Sequence, residues 1–152
     1  NATFATITGI EPSNTRIRAT YANVRQSLPA VNDIQAFLSS HQTAIAQLAF
    51  QYCNVLVDTE SARNAFFGGP LPTSLATSTQ REAITKPLVS KVIGELGSQA
   101  KTLPDAPLVQ NELDDLIDDL CGLQSCSNAA RVNEVAKAAC GAALGNAATL
   151  IY

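Results

Sequence analysis

The sequence predicts an all-α fold, a disulfide-braced bundle of about five to six helices built as a single helical domain over residues 1–152. Three observations lead there. Apolar residues recur three and four positions apart in most long stretches, the period of an amphipathic helix. No segment alternates strongly enough to read as a strand, and no period of 20 to 50 residues recurs. The 4 cysteines lie in or beside the helix-patterned stretches and include no CxxC spacing, which favours disulfides over zinc, redox or haem chemistry.

The opening decapeptide Asn1–Ile10 fits either a short helix or an alternating strand. Phe4 and Ile7, three apart, with Gly9 as a C′ residue favour the helix. Asn14 then offers an N-cap, and Ile17, Tyr21, Val24 and Leu28 form the stripe of a helix ended by Pro29. Asn32 with Gln35 reads as a capping box opening the longest element, a spine through Phe37, His41, Ile45, Leu48 and Tyr52 to about Asp58. A short helix is expected over Glu60–Phe67, broken by Gly68-Gly69-Pro70, with a loop reaching Ser78. Thr79 and Glu82 suggest another capping box, and Pro87 predicts a kink or a fresh start in the helix carrying Leu88, Val92, Ile93 and Leu96, which Gly97 should end. After the stiff Pro104–Pro107 connector, Leu113, Leu116, Ile117 and Leu120 predict a helix ending near Gly122. A last helix runs from about Ala129 through Val132, Val135, Ala139, Ala143 and Leu144.

Composition narrows function more by exclusion than by assignment. The net charge is −3, which leaves no basic footprint for nucleic acid. The apolar run Ala138–Tyr152 is shorter than the roughly 20 residues of a spanning helix. Charged residues are 15% of the chain, against roughly 25% in an ordinary soluble domain, so the surface is expected to pack against something. The chain has no Met, and the expectation is that an upstream segment, a signal peptide in the simplest case, has been removed, or that this is one piece of a longer polypeptide. A secreted or cell-surface location follows from the cysteines together with that expectation.

Among residues that could carry chemistry, Cys121 and Cys126 enclose a loop short enough to close locally, which leaves Cys53 for Cys140. Four cysteines formally allow three connectivities. His41 is the single histidine, so multi-histidine metal sites are excluded; it is expected as a core histidine, with a ligand pocket beside Gln42 or Tyr52 as the alternative. Within Glu112–Asp119, the pairs Asp114/Asp118 and Asp115/Asp119 set like charges one turn apart, and the last two oppose the helix macrodipole. Compensation is expected from Arg16, Arg18, Arg25, Arg131 or Lys137, from a calcium ion, or from a cationic surface of another subunit. Gly141 and Gly145 give the last helix a smooth face for close packing. Phe66 and Phe67, adjacent at a helix end, suggest that one is a surface anchor, the alternative being that each caps a different hydrophobic layer. The apolar end Leu150, Ile151 and Tyr152 is expected to dock on the chain's own core or on a neighbour.

The segments Asn1–Ile10, Phe37–Gln42, Ala46–Ala49 and Tyr52–Asn54, with the cysteine spacing around Cys121, Cys126 and Cys140 and the Ala-rich ending, resemble the helical C-terminal region of large secreted bacterial proteins that also carry concanavalin-like, LamG-type domains. This chain lacks such a lectin-like domain. The resemblance implies an exported, envelope-associated module and carries no activity with it. The combined expectation is a non-catalytic extracellular structural or assembly module, docking to copies of itself, as in a surface filament or appendage, or to a larger cell-surface protein. The alternative is a small-ligand- or cation-binding domain of the envelope. No catalytic residue, metal site, cofactor or nucleic-acid partner is expected.

Overall fold

A computed structural model describes residues 2–28, 39–99 and 105–151, with side chains described over 2–28, 39–94 and 105–146. Among these residues there are seven α-helices, one 3-10 turn and no strand. They are α1 (Ala2–Thr8), α2 (Thr15–Val24) with a 3-10 turn at Arg25–Ser27, α3 (Ser39–Asp58), α4 (Glu60–Phe67), α5 (Ser78–Gln99), α6 (Ala106–Leu123) and α7 (Ala129–Ile151). The helix count exceeds the expected five to six because α1 and α4 both stand as separate helices. At 7 and 8 residues they are too short to be stable alone. Burial of Phe4 and Ile7 from one, and of Phe66 and Phe67 from the other, holds them in place.

Local chemistry sets most of the boundaries. The strand alternative for the opening segment fails because Gly9 takes φ +71, where its N–H reaches back to the Ala5 carbonyl and closes α1. The Asn14 side chain accepts from the Arg16 N–H at 3.0 Å and opens α2. Gly68 ends α4 at φ +79. Asn128 accepts from the Arg131 N–H at 2.9 Å to open α7. The capping box before α5 is at Thr77 and Gln80, not at Thr79 and Glu82: the Thr77 N–H donates to Gln80 Oε1 at 3.1 Å and the Gln80 N–H to Thr77 Oγ1 at 3.3 Å. Pro87 neither starts nor ends a helix, and α5 runs unbroken past it. A proline there removes one backbone hydrogen bond. Ile84, Leu88 and Val92, all buried, hold the helix on the core from both sides of it. The expected cap at Asn32 and Gln35 falls outside the described residues.

The centre of the molecule is the pairing of α3 with α7, the most extensive helix contact in the fold. Helix α3 also packs against α1, α2 and α4, and α7 against α5 and α6, while α1 and α4 each touch α5 as well. The α3 contribution includes Ile45, Leu48, Tyr52, Val55 and Leu56, and that of α7 includes Val132, Val135, Ala136, Ala139 and Leu144. Close approach depends on missing side chains. A Cβ on Gly145 would stand 4.0 Å from the Ala46 Cα, and one on Gly141 would collide with the Phe50 ring, whose Cγ would be 2.8 Å away. Cys53 and Cys140 are bonded across this seam with Cα atoms 5.8 Å apart, joining positions separated by 87 residues.

A second knot ties the far ends of α5, α6 and α7. Cys121 and Cys126 are bonded, Cα atoms 5.2 Å apart. The backbone N–H of Leu75, buried in the loop before α5, donates to the Cys126 carbonyl at 2.9 Å. Arg81 donates to the Leu75 carbonyl at 3.1 Å and pairs with Asp118, while Arg131 donates to the Leu120 carbonyl at 2.9 Å. A loop read from sequence only as a Ser/Thr/Pro-rich connector is therefore pinned at both of its faces.

The two cystines should differ in worth. Loop-closure entropy scales with the logarithm of the loop, giving ~4–5 kcal/mol for Cys53–Cys140 and ~2 kcal/mol for Cys121–Cys126. Guanidinium unfolding of the Cys53→Ala/Cys140→Ala and Cys121→Ala/Cys126→Ala pairs should show this order. Gly141→Ala should destabilise the wild-type chain, because the new methyl drives Phe50 from the seam. In a Phe50→Ala background the same change should stabilise by roughly 1 kcal/mol, the helix-propensity gain of Ala over Gly. Thermal unfolding of the four variants in that cycle checks the sign reversal.

Candidate functional site

The residues singled out from sequence do not converge on one pocket. His41 is half-buried in the first turn of α3 and Tyr52 is fully buried, and the 11 residues between them span about 16 Å of helix. A shared pocket for the two is therefore not formed. Tyr52 packs on Phe4 with ring centroids 5.6 Å apart. Burial, aided by the negative charge of Glu11, pushes its phenol up to about 12. Tyr52 thus stays neutral at physiological pH as a core residue.

Neither Phe66 nor Phe67 is a surface anchor. Both are buried, with rings edge to face at 4.9 Å, and Lys91 Nζ is 5.9 Å from the Phe66 centroid. Helix α4 lies against both α3 and α5, so apolar surface is available to it on more than one side. Leu150 and Ile151 belong to the last turn of α7, but their side chains and all of Tyr152 lie outside the described residues.

Charged groups divide into those used by the fold and those left on its surface. Asp58, at the end of α3, accepts from Arg16 of α2 at 2.8 Å and pairs with Lys137 of α7 at 2.5 Å. It joins three helices. The hydrogen bond from Lys137, against an opposing push from burial and with help from Arg16, holds its carboxyl below the usual range. Arg16 and Lys137, both expected to balance the acidic run of α6, are committed here instead. Arg131 turns to Glu134 at 3.0 Å and to the Leu120 carbonyl. The cation that does reach the acidic run is Arg81, which pairs with Asp118. Together Arg81 and Arg131 place positive charge at the C-terminal end of α6, where the macrodipole favours it.

That leaves an outer stripe on α6. Leu108, Glu112, Asp115, Asp119 and Leu123 follow one another at intervals of three and four residues and are all exposed. The two leucines are the most exposed large apolar side chains among the described residues, at 62% and 84%. Glu112, Asp115 and Asp119 form no ion pair among the described residues. Nor do three or more His, Cys, Asp or Glu converge among the described residues in an arrangement that could hold a metal. Sequence reading marked the carboxylates but missed Leu108 and Leu123. Placing them on the same helical face as Glu112, Asp115 and Asp119 would have found them.

The outer face of α2 has the opposite character. Only Ile17 and Val24 of this helix are buried, while Arg18, Tyr21, Ala22 and Arg25 face outward, Tyr21 at 39% exposure. They border a shallow depression that begins at Pro12. Beside it, a groove between α2 and α3 is lined by the apolar Val24, Ala46 and Phe50 together with amide side chains such as Asn23, Gln47 and Gln51, and no acid or base lines it. No helix among the described residues is long and apolar enough to cross a membrane.

Asp58 generates a pH dependence of definite sign. Its carboxyl is held low in the folded chain, so its stabilisation is complete above the unfolded value near ~4 and is lost as pH falls through the folded value. Asp58→Asn should therefore cost stability at pH 7, and wild type and variant should converge as pH falls through the folded value. With the side chain 41% exposed, solvent screening keeps the difference at or under ~1 kcal/mol. Urea unfolding over a falling pH series checks it. The chain matches no family model, no curated protein and no solved structure.

Proposed function

We propose that this chain is a non-catalytic structural module that works outside the cytoplasm and docks through its surface to further copies of itself, or to a larger surface protein. The observation that carries this reading is the α6 stripe, in which Leu108 and Leu123 stand 62% and 84% exposed on either side of three carboxylates. Large apolar side chains held in water at both ends of one helical face are a feature of surfaces that become buried on association. The two cystines, which leave no free cysteine, support an oxidising compartment. A chain braced by two covalent links suits a structural role, where the fold must persist away from cytoplasmic chaperones and reductants.

Sedimentation velocity on the purified chain between ~10 µM and ~1 mM, a range that reports weak protein interfaces, should show mass increasing with concentration. Leu108→Ser/Leu123→Ser should suppress that increase while leaving the melting temperature of the dilute monomer within a few degrees, since neither side chain contributes to the core. A chain that remains monomeric over the whole range would remove self-association from the reading.

A further inference from the structure

The outer faces of α2 and α6 carry opposite charge at the same spacing. On α6, Glu112 and Asp119 are seven residues apart with Asp115 between them; on α2 and its 3-10 extension, Arg18 and Arg25 are also seven apart, with Tyr21 and Ala22 between. Seven residues of helix span about 10.5 Å, so the two carboxylates and the two guanidinium groups repeat at matching distance. Among the described residues Arg18 and Arg25 have no carboxylate partner and Glu112 and Asp119 have no cation, whereas Arg16, two positions from Arg18, is engaged with Asp58.

Helix α2 packs on α3 and its own 3-10 extension, while α6 packs on α5 and α7, and no ion pair among the described residues joins α2 to α6. We propose that the α2 face of one copy docks on the α6 face of a second copy, Arg18 and Arg25 meeting Glu112 and Asp119. The depression between Pro12 and Tyr21 supplies an apolar floor for one of the two exposed leucines. This rests on the self-association proposed above and specifies how it occurs. Because the two faces are different surfaces of the same chain, the contact is heterologous. Each docked copy presents a fresh α6 face at one side and a fresh α2 face at the other, which builds a ring or an open filament instead of a closed two-fold dimer.

Charge reversal tests the assignment. Arg18→Glu/Arg25→Glu makes both faces acidic, and Glu112→Lys/Asp119→Lys makes both basic. Each variant alone should associate at least ~10-fold more weakly than wild type, and an equimolar mixture should assemble again, because every α2 face then meets an α6 face of opposite sign. Raising sodium chloride from ~50 to ~500 mM should weaken wild-type assembly, as screening of exposed charges requires. If wild type assembles and the reversed variants assemble equally well, the pairing of these faces is wrong while self-association stands. If wild type is monomeric throughout, self-association and this pairing of faces both fall. If a reversal lowers the melting temperature of the dilute monomer but leaves assembly unchanged, the charges serve the chain's own fold and the inference is overturned.

Discussion

The close approach of α3 to α7 is the constraint on which the other helices depend. Two glycines on α7 let its backbone lie near Ala46 and Phe50, and the Cys53–Cys140 bond fixes the register of that approach. With the pair locked, α3 receives α1, α2 and α4 and α7 receives α5 and α6, with α1 and α4 also reaching α5. A larger residue at Gly141 or a slip in register would separate the two cysteine positions as well as the apolar stripes. The covalent link and the small residues therefore enforce the same geometry by different means, one through the unfolded chain's entropy and one through sterics in the folded chain.

Electrostatics follow from that frame. Ion pairs that connect helices, Arg16 and Lys137 with Asp58 and Arg81 with Asp118, lie where elements converge. Exposed pairs of this kind contribute little individually. Their collective effect is to settle which cations remain unpaired, because a guanidinium engaged inside the fold is withdrawn from the surface. The charge pattern presented to a partner is thus a remainder after the fold has taken what it uses. Among the described residues that remainder includes Arg18 and Arg25 on the α2 side and Glu112, Asp115 and Asp119 on α6.

Sequence revealed most of what is local. Asn14 and Gly68 announce their helix ends through their own side chain or lack of one, and the cystine pairing followed from one short loop and the two cysteines left over. What it concealed was decided at a distance. The capping box had two overlapping candidate frames, Thr77/Gln80 and Thr79/Glu82, and the choice is accompanied by Arg81 reaching the Leu75 carbonyl, a contact of the folded loop. The Arg81–Asp118 pair spans helices with no sequence cue to join them. Of the two readings open for Phe66 and Phe67, burial of both excludes the surface anchor, because a helix end touching two neighbours can bury consecutive residues. The fresh start expected at Pro87 does not occur, since burial of Ile84 and Leu88 on either side of it outweighs the local preference against a mid-helix proline.

The small cystine ring has a consequence beyond stability. Leu123 lies within the segment closed by Cys121 and Cys126, so the most exposed large apolar side chain among the described residues is carried on a cross-linked loop and not on a free one. Ordering a flexible loop on contact ordinarily subtracts from the strength of that contact. Here the ordering is completed when the sulfurs join, before any neighbour arrives. Reduction of this one bond would soften the mounting of Leu123 while the Cys53–Cys140 clasp still held the bundle, making surface rigidity separable from the integrity of the fold.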